Sequence, residues 1–166
     1  MFSLTKHQTK IASFNPRAEK HGEENVLAAD LKIEATVHSA TLDLFDKKLR
    51  PMFFRKAEIG EQQSLIEGDD LIGLRLPQIK GFTWDEDFPG YTIEIGSGLD
   101  IGKPLVITEV ELSKFKFEPA EGGAVKLTLS ASFHPSAELS GALCALIQDT
   151  VELTLLPPSA AQQKAA

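Results

Sequence analysis

The chain has 166 residues, 42% of them hydrophobic, and one cysteine; that length lets a single domain bury enough apolar surface to fold without a metal, and one cysteine excludes an internal disulfide framework. A formal net charge of -7 and a pI near 5.1 oppose non-specific binding to nucleic acid, because each phosphate contact calls for a cation that displaces counterions. No run of about 18 apolar residues marks a membrane span, and the opening MFSLTKHQTKIASF lacks the apolar core of a signal peptide, so the expectation is a cytoplasmic chain in a reducing compartment, with Cys144 buried in an apolar helical stretch as an inert thiol.

Residues 1–30 are polar, carry Lys6, Lys10, Arg17 and Lys20, and are broken by Asn15-Pro16; they are expected to form an arm lying on a single α+β domain of residues 31–156. From Leu31 the apolar Leu31, Ile33, Ala35 and Val37 alternate with polar residues, the mark of a strand with one buried face. Thr41 can then cap a helix carrying Leu42, Phe45 and Leu49, which Pro51 should end or kink. Residues 57–70 hold Glu58, Glu61, Glu67, Asp69 and Asp70 with Gly60 and Gly68 and read as an acidic, mobile connection. Strands follow at Ile72 to Leu76 and at Tyr91, Ile93 and Ile95.

Between Leu105 and Phe117 the apolar parity changes: Val110 and Leu112 fall on one phase, Phe115 and Phe117 on the other. A β-bulge near Ser113 or Lys114 returns both sets to the core face. EPAEGG, residues 118–123, supplies a hairpin loop, and beyond it Val125, Leu127, Leu129, Ala131 and Phe133 alternate. Ser136 caps a second helix that presents Leu139, Leu143, Leu146 and Ile147 on one face. A last strand holds Val151, Leu153 and Leu155, and residues 157–166 read as a disordered tail.

LKIEATVH (31–38) matches LTLSASFH (127–134) in register at Leu, Ala and His, which suggests either an internal strand-plus-helix repeat or the chance likeness of two alternating strands. The fold predicted is α+β: a mainly antiparallel sheet, or a partly closed barrel, of six or more strands with two covering helices.

Four places in the sequence could carry chemistry. GFTWDEDFPGY, residues 81–91, contains the only Trp and the only Tyr. It reads either as a loop with its aromatics turned inward or as a protein-binding epitope of Trp84, Asp85, Glu86, Asp87 and Tyr91; consecutive carboxylates repel and lack the spaced ligands of a calcium loop, so no metal is expected there. Lys47, Lys48, Arg50, Phe54, Arg55 and Lys56 could bind single-stranded DNA, the phenylalanine stacking on bases, or could be the solvated face of a helix with Phe53 and Phe54 in the core. His38 and His134 occupy equivalent places in the suspected repeat and either share a metal or anion, or bond backbone at strand ends. GSGLDIG, residues 96–102, precedes a strand and lacks the Lys-Ser/Thr pairing of a phosphate loop. No nucleophile and base pair, metal spacing or cofactor motif is visible, so catalysis, metal and cofactor are not expected.

The stretch KIASFNPRAEKHGEENVLAADLKI, residues 10–33, with the later WDEDFPGY and LSGALCALIQDTVELTLLPP, resembles a family of small, uncharacterised proteins of tailed bacteriophages and prophages. The resemblance implies a setting, a phage-encoded protein in the host cytoplasm, and carries no catalytic residue. The function expected is non-enzymatic binding of another macromolecule, most simply a protein. The alternatives are a single-strand DNA-binding protein of phage replication or recombination, and an acidic DNA mimic that inhibits a host defence system through the carboxylates of 58–70 and 85–87.

Overall fold

A strand with one buried face needs alternation, and in the computed structural model, which describes residues 1–58, 71–96 and 103–158, most of the alternating runs are strands. In chain order the elements are β1 (Leu4–His21), β2 (Glu24–His38), a 3-10 helix (Ser39–Leu44), α1 (Leu49–Phe53), β3 (Phe54–Lys56), β4 (Leu71–Leu74), β5 (Phe82–Trp84), β6 (Phe88–Gly96), β7 (Leu105–Ala120), β8 (Ala124–Phe133), α2 (Ala137–Ala145) and β9 (Thr150–Leu156). The strand order β5-β7-β6-β9-β1-β2-β8, with a further β7–β8 pairing, closes six strands into a barrel and leaves β5 as an additional strand; β3 and β4 make a separate two-stranded ladder. The fold is α+β, largely antiparallel, as the alternation predicts. No helix among the described residues is long and apolar enough to cross a membrane.

The chain divides into two compact units. The larger comprises Ser3–Ala35, Asp85–Phe115 and Thr128–Ala166. Its core gathers Ile11, Phe14, Leu31, Ile33, Tyr91, Ile93, Ile95, Val110, Leu112, Phe115, Leu129, Phe133, Leu143, Leu153 and Leu155, all buried. The smaller comprises Met1–Phe2, Thr36–Trp84 and Lys116–Leu127, with Phe2, Val37, Leu42, Phe53, Phe54, Ile72, Phe117, Val125 and Leu127 inside.

Residues 4–21 are not an arm. They are the 18-residue strand β1, paired antiparallel with β2 on one side and β9 on the other. Two features hide it from periodicity. Bulges shift its parity: Leu4↔Leu155 is followed by His7↔Leu153, and Ile11↔Ile33 by Ser13↔Lys32. From Asn15 onward nearly every residue on both faces is exposed or half-exposed, so alternation has nothing to report. β2 likewise begins at Glu24, seven residues before its apolar run. The two strands meet at Gly22-Glu23, where Gly22 at φ +67° supplies the left-handed first position of a two-residue hairpin turn.

The parity change in β7 is a bulge, with Lys114 at φ +54°, and a second one lies upstream at Glu109, φ +53°. Between Ile107 and Val110 β7 spends three steps while β6 spends two, from Ile93 to Tyr91. β6 returns the extra residue at Gly90, φ +78°, between Tyr91↔Val110 and Phe88↔Leu112. The same device appears at Lys6 of β1, φ +46°. Bulges bend a strand and raise its twist, which closing a sheet into a barrel requires.

The two helical segments depart from expectation in detail. His38 caps the first, its Nδ1 accepting from the Ala40 N–H at 3.2 Å, where Thr41 was expected. A turn at 45–48 breaks the run, so Pro51 falls in the first turn of α1, where its missing N–H costs nothing. Ser136 does cap α2, accepting from the Leu139 N–H at 3.1 Å. Only Leu143 of that helix is buried; Ile147 is 37% exposed and Cys144 is exposed, so neither belongs to the core as predicted. α2 is nine residues long and Ile147 falls in the turn that follows it, which the helical spacing did not foresee. β2 and β8 share the alternation behind the suspected repeat, yet one enters a 3-10 helix directly and the other, after three residues, an α-helix.

Candidate functional site

In the smaller unit, β5 carries Phe82 and Trp84 on one face with the exposed Thr83 between them. Phe82 stacks on Phe53, centroids 4.6 Å apart, and on Phe117 at 5.2 Å. Trp84 meets Phe45 edge-on at 6.1 Å, and Phe45 in turn contacts Phe117 at 4.9 Å and Phe2 at 5.5 Å. The aromatics of the 81–91 segment thus turn inward. Edge-to-face and offset pairs of this kind add to the burial itself.

Asp85, Glu86 and Asp87 follow as exposed residues. Tyr91, expected on the same epitope, is 1% exposed and lies in the core of the larger unit. Its parity explains this: Tyr91, Ile93 and Ile95 share the buried face of β6. Desolvation raises the pKa of its phenol. Of the residues read as a protein-binding epitope, the rim of Trp84 and the three acids remain at the surface, with Thr83 and Pro89 exposed beside them.

The basic cluster is largely committed to the chain itself. Arg50 donates Nε to Ser39 Oγ at 3.1 Å and stands 3.7 Å from Asp43 Oδ2. Arg55 donates Nη1 to the Lys56 carbonyl at 3.1 Å and pairs with Glu58 at 3.5 Å. Its side chain also covers Gly73, where any Cβ would collide with the guanidinium at 2.8 Å. Phe54, a candidate for stacking on bases, is fully buried because it opens β3 against β4, in keeping with the other reading that puts it in the core. Lys47, Lys48 and Lys56 are exposed. Of the acidic 57–70 segment, 59–70 lie outside the described residues, as do 97–102 of the glycine-rich stretch and 159–166 of the tail.

His38 and His134 belong to different units. His38 caps the 3-10 helix beside the β7–β8 turn, where Gly123 at φ +73° accepts at its carbonyl from the Ser39 N–H at 2.8 Å. His134, the residue after β8, stands with Glu19 and His21 of β1 in the larger unit. Its Nε2 is 3.3 Å from Glu19 Oε2, and His21 Nε2 is 3.7 Å from the same oxygen. The two imidazoles meet edge-on with centroids 5.9 Å apart.

The other carboxylate oxygen of Glu19 accepts from Arg17, at 3.0 Å from Nε and 2.8 Å from Nη2. Arg17 also pairs with Asp30 of β2, whose Oδ1 accepts from Ser132 Oγ of β8 at 2.6 Å. Partial burial pushes the Asp30 carboxyl up, and the Ser132 and Arg17 hydrogen bonds outweigh it, leaving the group below the ordinary carboxylate range. Glu19 is lowered too, by its hydrogen bonds from Arg17 and His134. These residues form a polar network across three strands. Among the described residues, Glu19, His21 and His134 are a group able to hold a metal ion, their ligand atoms all lying within 4.8 Å of one another.

The sequence signal for this group was the i, i+2 spacing of Glu19 and His21, which share a face only if 4–21 is a strand. Comparison with protein-family models, curated proteins and solved structures finds no match to the chain.

Proposed function

We propose that the protein acts by binding another macromolecule rather than by catalysis, and that its partner is a protein engaged at β5 and the acidic residues after it. One observation carries the reading: β5 is additional to the closed ring of six strands, standing at the end of the strand order beside β7, with Thr83 exposed on it and Asp85, Glu86 and Asp87 exposed in the residues that follow. An edge strand is a template for strand addition by a partner, whose main chain supplies affinity while flanking charges select it. The acidic run favours a basic partner segment. The single-strand DNA reading is weaker, since Phe54 is buried and both arginines of the cluster are engaged within the chain. The setting, the cytoplasm of a bacterium carrying the phage, rests on the resemblance of residues 10–33 to phage proteins.

The test is capture from a nuclease-treated bacterial lysate on the immobilised chain. A protein retained by the parent chain and lost from a Thr83→Arg, Asp85→Lys, Asp87→Lys variant with an unchanged melting curve is the expected result. Retention by the variant overturns the site. Tight, salt-sensitive binding of single-stranded oligonucleotides, abolished by Lys47→Glu, Lys48→Glu and Lys56→Glu, overturns the function in favour of nucleic acid.

A further inference from the structure

The geometry points to a surface site for a divalent transition metal of the zinc class, held by Glu19, His21 and His134. Two nitrogens and one carboxylate oxygen are the donors such ions take, whereas calcium and magnesium want oxygen alone. Bonds of about 2.0 to 2.2 Å in a tetrahedral arrangement place ligand atoms about 3.4 Å apart. The two separations involving Glu19, 3.3 and 3.7 Å, bracket that value. The remaining separation, between the two histidine nitrogens, is within 4.8 Å, and both imidazoles are more than half exposed, free to close on an ion by rotating about their own χ angles.

The fold explains why three residues so far apart in sequence converge. Glu19 and His21 are two apart on β1 and project from one face. His134 comes from beyond β8, on the far side of β2. The β2 residues opposite Glu19 and Arg17 are Val26 and Ala28, too short to fill the gap, so side chains from β1 and β8 meet over them.

Behind the donors stands the support that metal ligands ordinarily have. Arg17 grips the outer oxygen of Glu19 and leaves Oε2 turned to the histidines. Asp30 fixes Arg17, and Ser132 fixes Asp30. Arg17 adds a positive charge near the site and Lys114 another near Asp30, balancing the two carboxylates, so an incoming cation is held by the donor atoms rather than by a net negative charge. A fourth coordination position faces solvent, as in sites that exchange a ligand.

The test is calorimetric titration of the tag-free, metal-stripped protein with Zn²⁺, Ni²⁺ and Cu²⁺ near neutral pH. One ion per chain, with Cu²⁺ bound most tightly, is expected. His21→Ala, His134→Ala and Glu19→Gln should each abolish saturation in the micromolar range, and Asp30→Asn should weaken binding about tenfold; His7→Ala should change nothing. Because a variant could lose its fold, the side-chain nitrogen resonances of the four histidines in the parent chain provide a second readout: zinc should shift His21 and His134 and leave His7 and His38 in place. No saturable heat up to millimolar metal, affinity unchanged in the His21→Ala, His134→Ala double variant, or zinc shifts confined to His7 and His38 would each overturn the site.

Discussion

Phe53 and Phe82 lie face to face, their ring planes within 3° of parallel and their centroids 4.6 Å apart. One ring comes from the last residue of α1 and the other from the first residue of β5, so this stack joins the short helix to the additional strand within the smaller unit. Phe82→Ala removes it together with the contact to Phe117. A loss of roughly 2 kcal/mol is expected, short of the 3 to 5 of a wholly buried phenylalanine because Phe82 is half-buried. Trp84, the only indole, should report a red-shifted emission in the same variant as β5 loosens. A chemical denaturation midpoint and an emission maximum both unchanged would remove the stack from the account of how β5 is held.

Leu129 is 1% exposed in the middle of β8. Leu129→Ala is expected to cost 2 to 5 kcal/mol by lost transfer energy and by the cavity left behind, roughly the range for such truncations. Urea unfolding measures it, and a change below about 0.5 kcal/mol would contradict its place in the core.

The single tyrosine makes one titration unambiguous. Burial raises the pKa of Tyr91 above the value of an unfolded chain, near 10. The neutral phenol is therefore the form the folded state prefers. The stability it lends is complete below about pH 10 and is lost as pH rises through the folded pKa. Absorbance at 295 nm should show a midpoint above that of free tyrosine, moving down to it in denaturant. A midpoint at or below the free value in the folded protein would contradict the burial.

Glu109 holds a left-handed backbone conformation, φ +53°, at the bulge of β7. A residue with a Cβ pays about 1 kcal/mol or more there, and glycine pays none. Glu109→Gly should stabilise the protein slightly or leave it neutral, while Glu111→Gly, two residues on in the same strand, should destabilise by about 0.5 to 1 kcal/mol. Equal effects at the two positions would mean that no bulge exists at Glu109.

These elements also mark where sequence reasoning holds and where it fails. β6, β8 and β9 have one wet and one dry face, and alternation alone assigns Ile93, Leu127 and Leu153 to the interior, where they lie. The bulge at Lys114 was legible because apolar residues stand on both sides of the parity change, Val110 and Leu112 before it and Phe115 and Phe117 after. That at Glu109 was not, because Ile107 and Val110 are separated by polar residues compatible with either phase. β1 was invisible for the opposite reason: only Leu4, Thr9, Ile11 and Phe14 are buried along it, at spacings that no single period describes. With β1 read as an arm, Glu19 and His21 had no common face and His134 had no neighbour but its sequence twin, His38. Tyr91 and Phe54 were each open to a surface and a core reading from residue type alone, and the phase of their strands decides for the core.

The position of β9 sets an order of assembly. β1 with β2, β6 with β7, and β7 with β8 are pairs of neighbours in the chain, and each can zip locally. β9 lies between β1 and β6, opposing Leu153 to His7 on one side and to Ile95 on the other. Until Thr150–Leu156 arrives, both of those strands keep an open row of backbone donors and acceptors above an uncovered apolar face, the arrangement that invites pairing between molecules. Ring closure must therefore wait for the most distant contact in the topology and is slow by the loop entropy it has to overcome. A chain truncated before β9 is therefore expected to aggregate, its two open edges left for pairing between molecules where the seven-residue strand would otherwise stand.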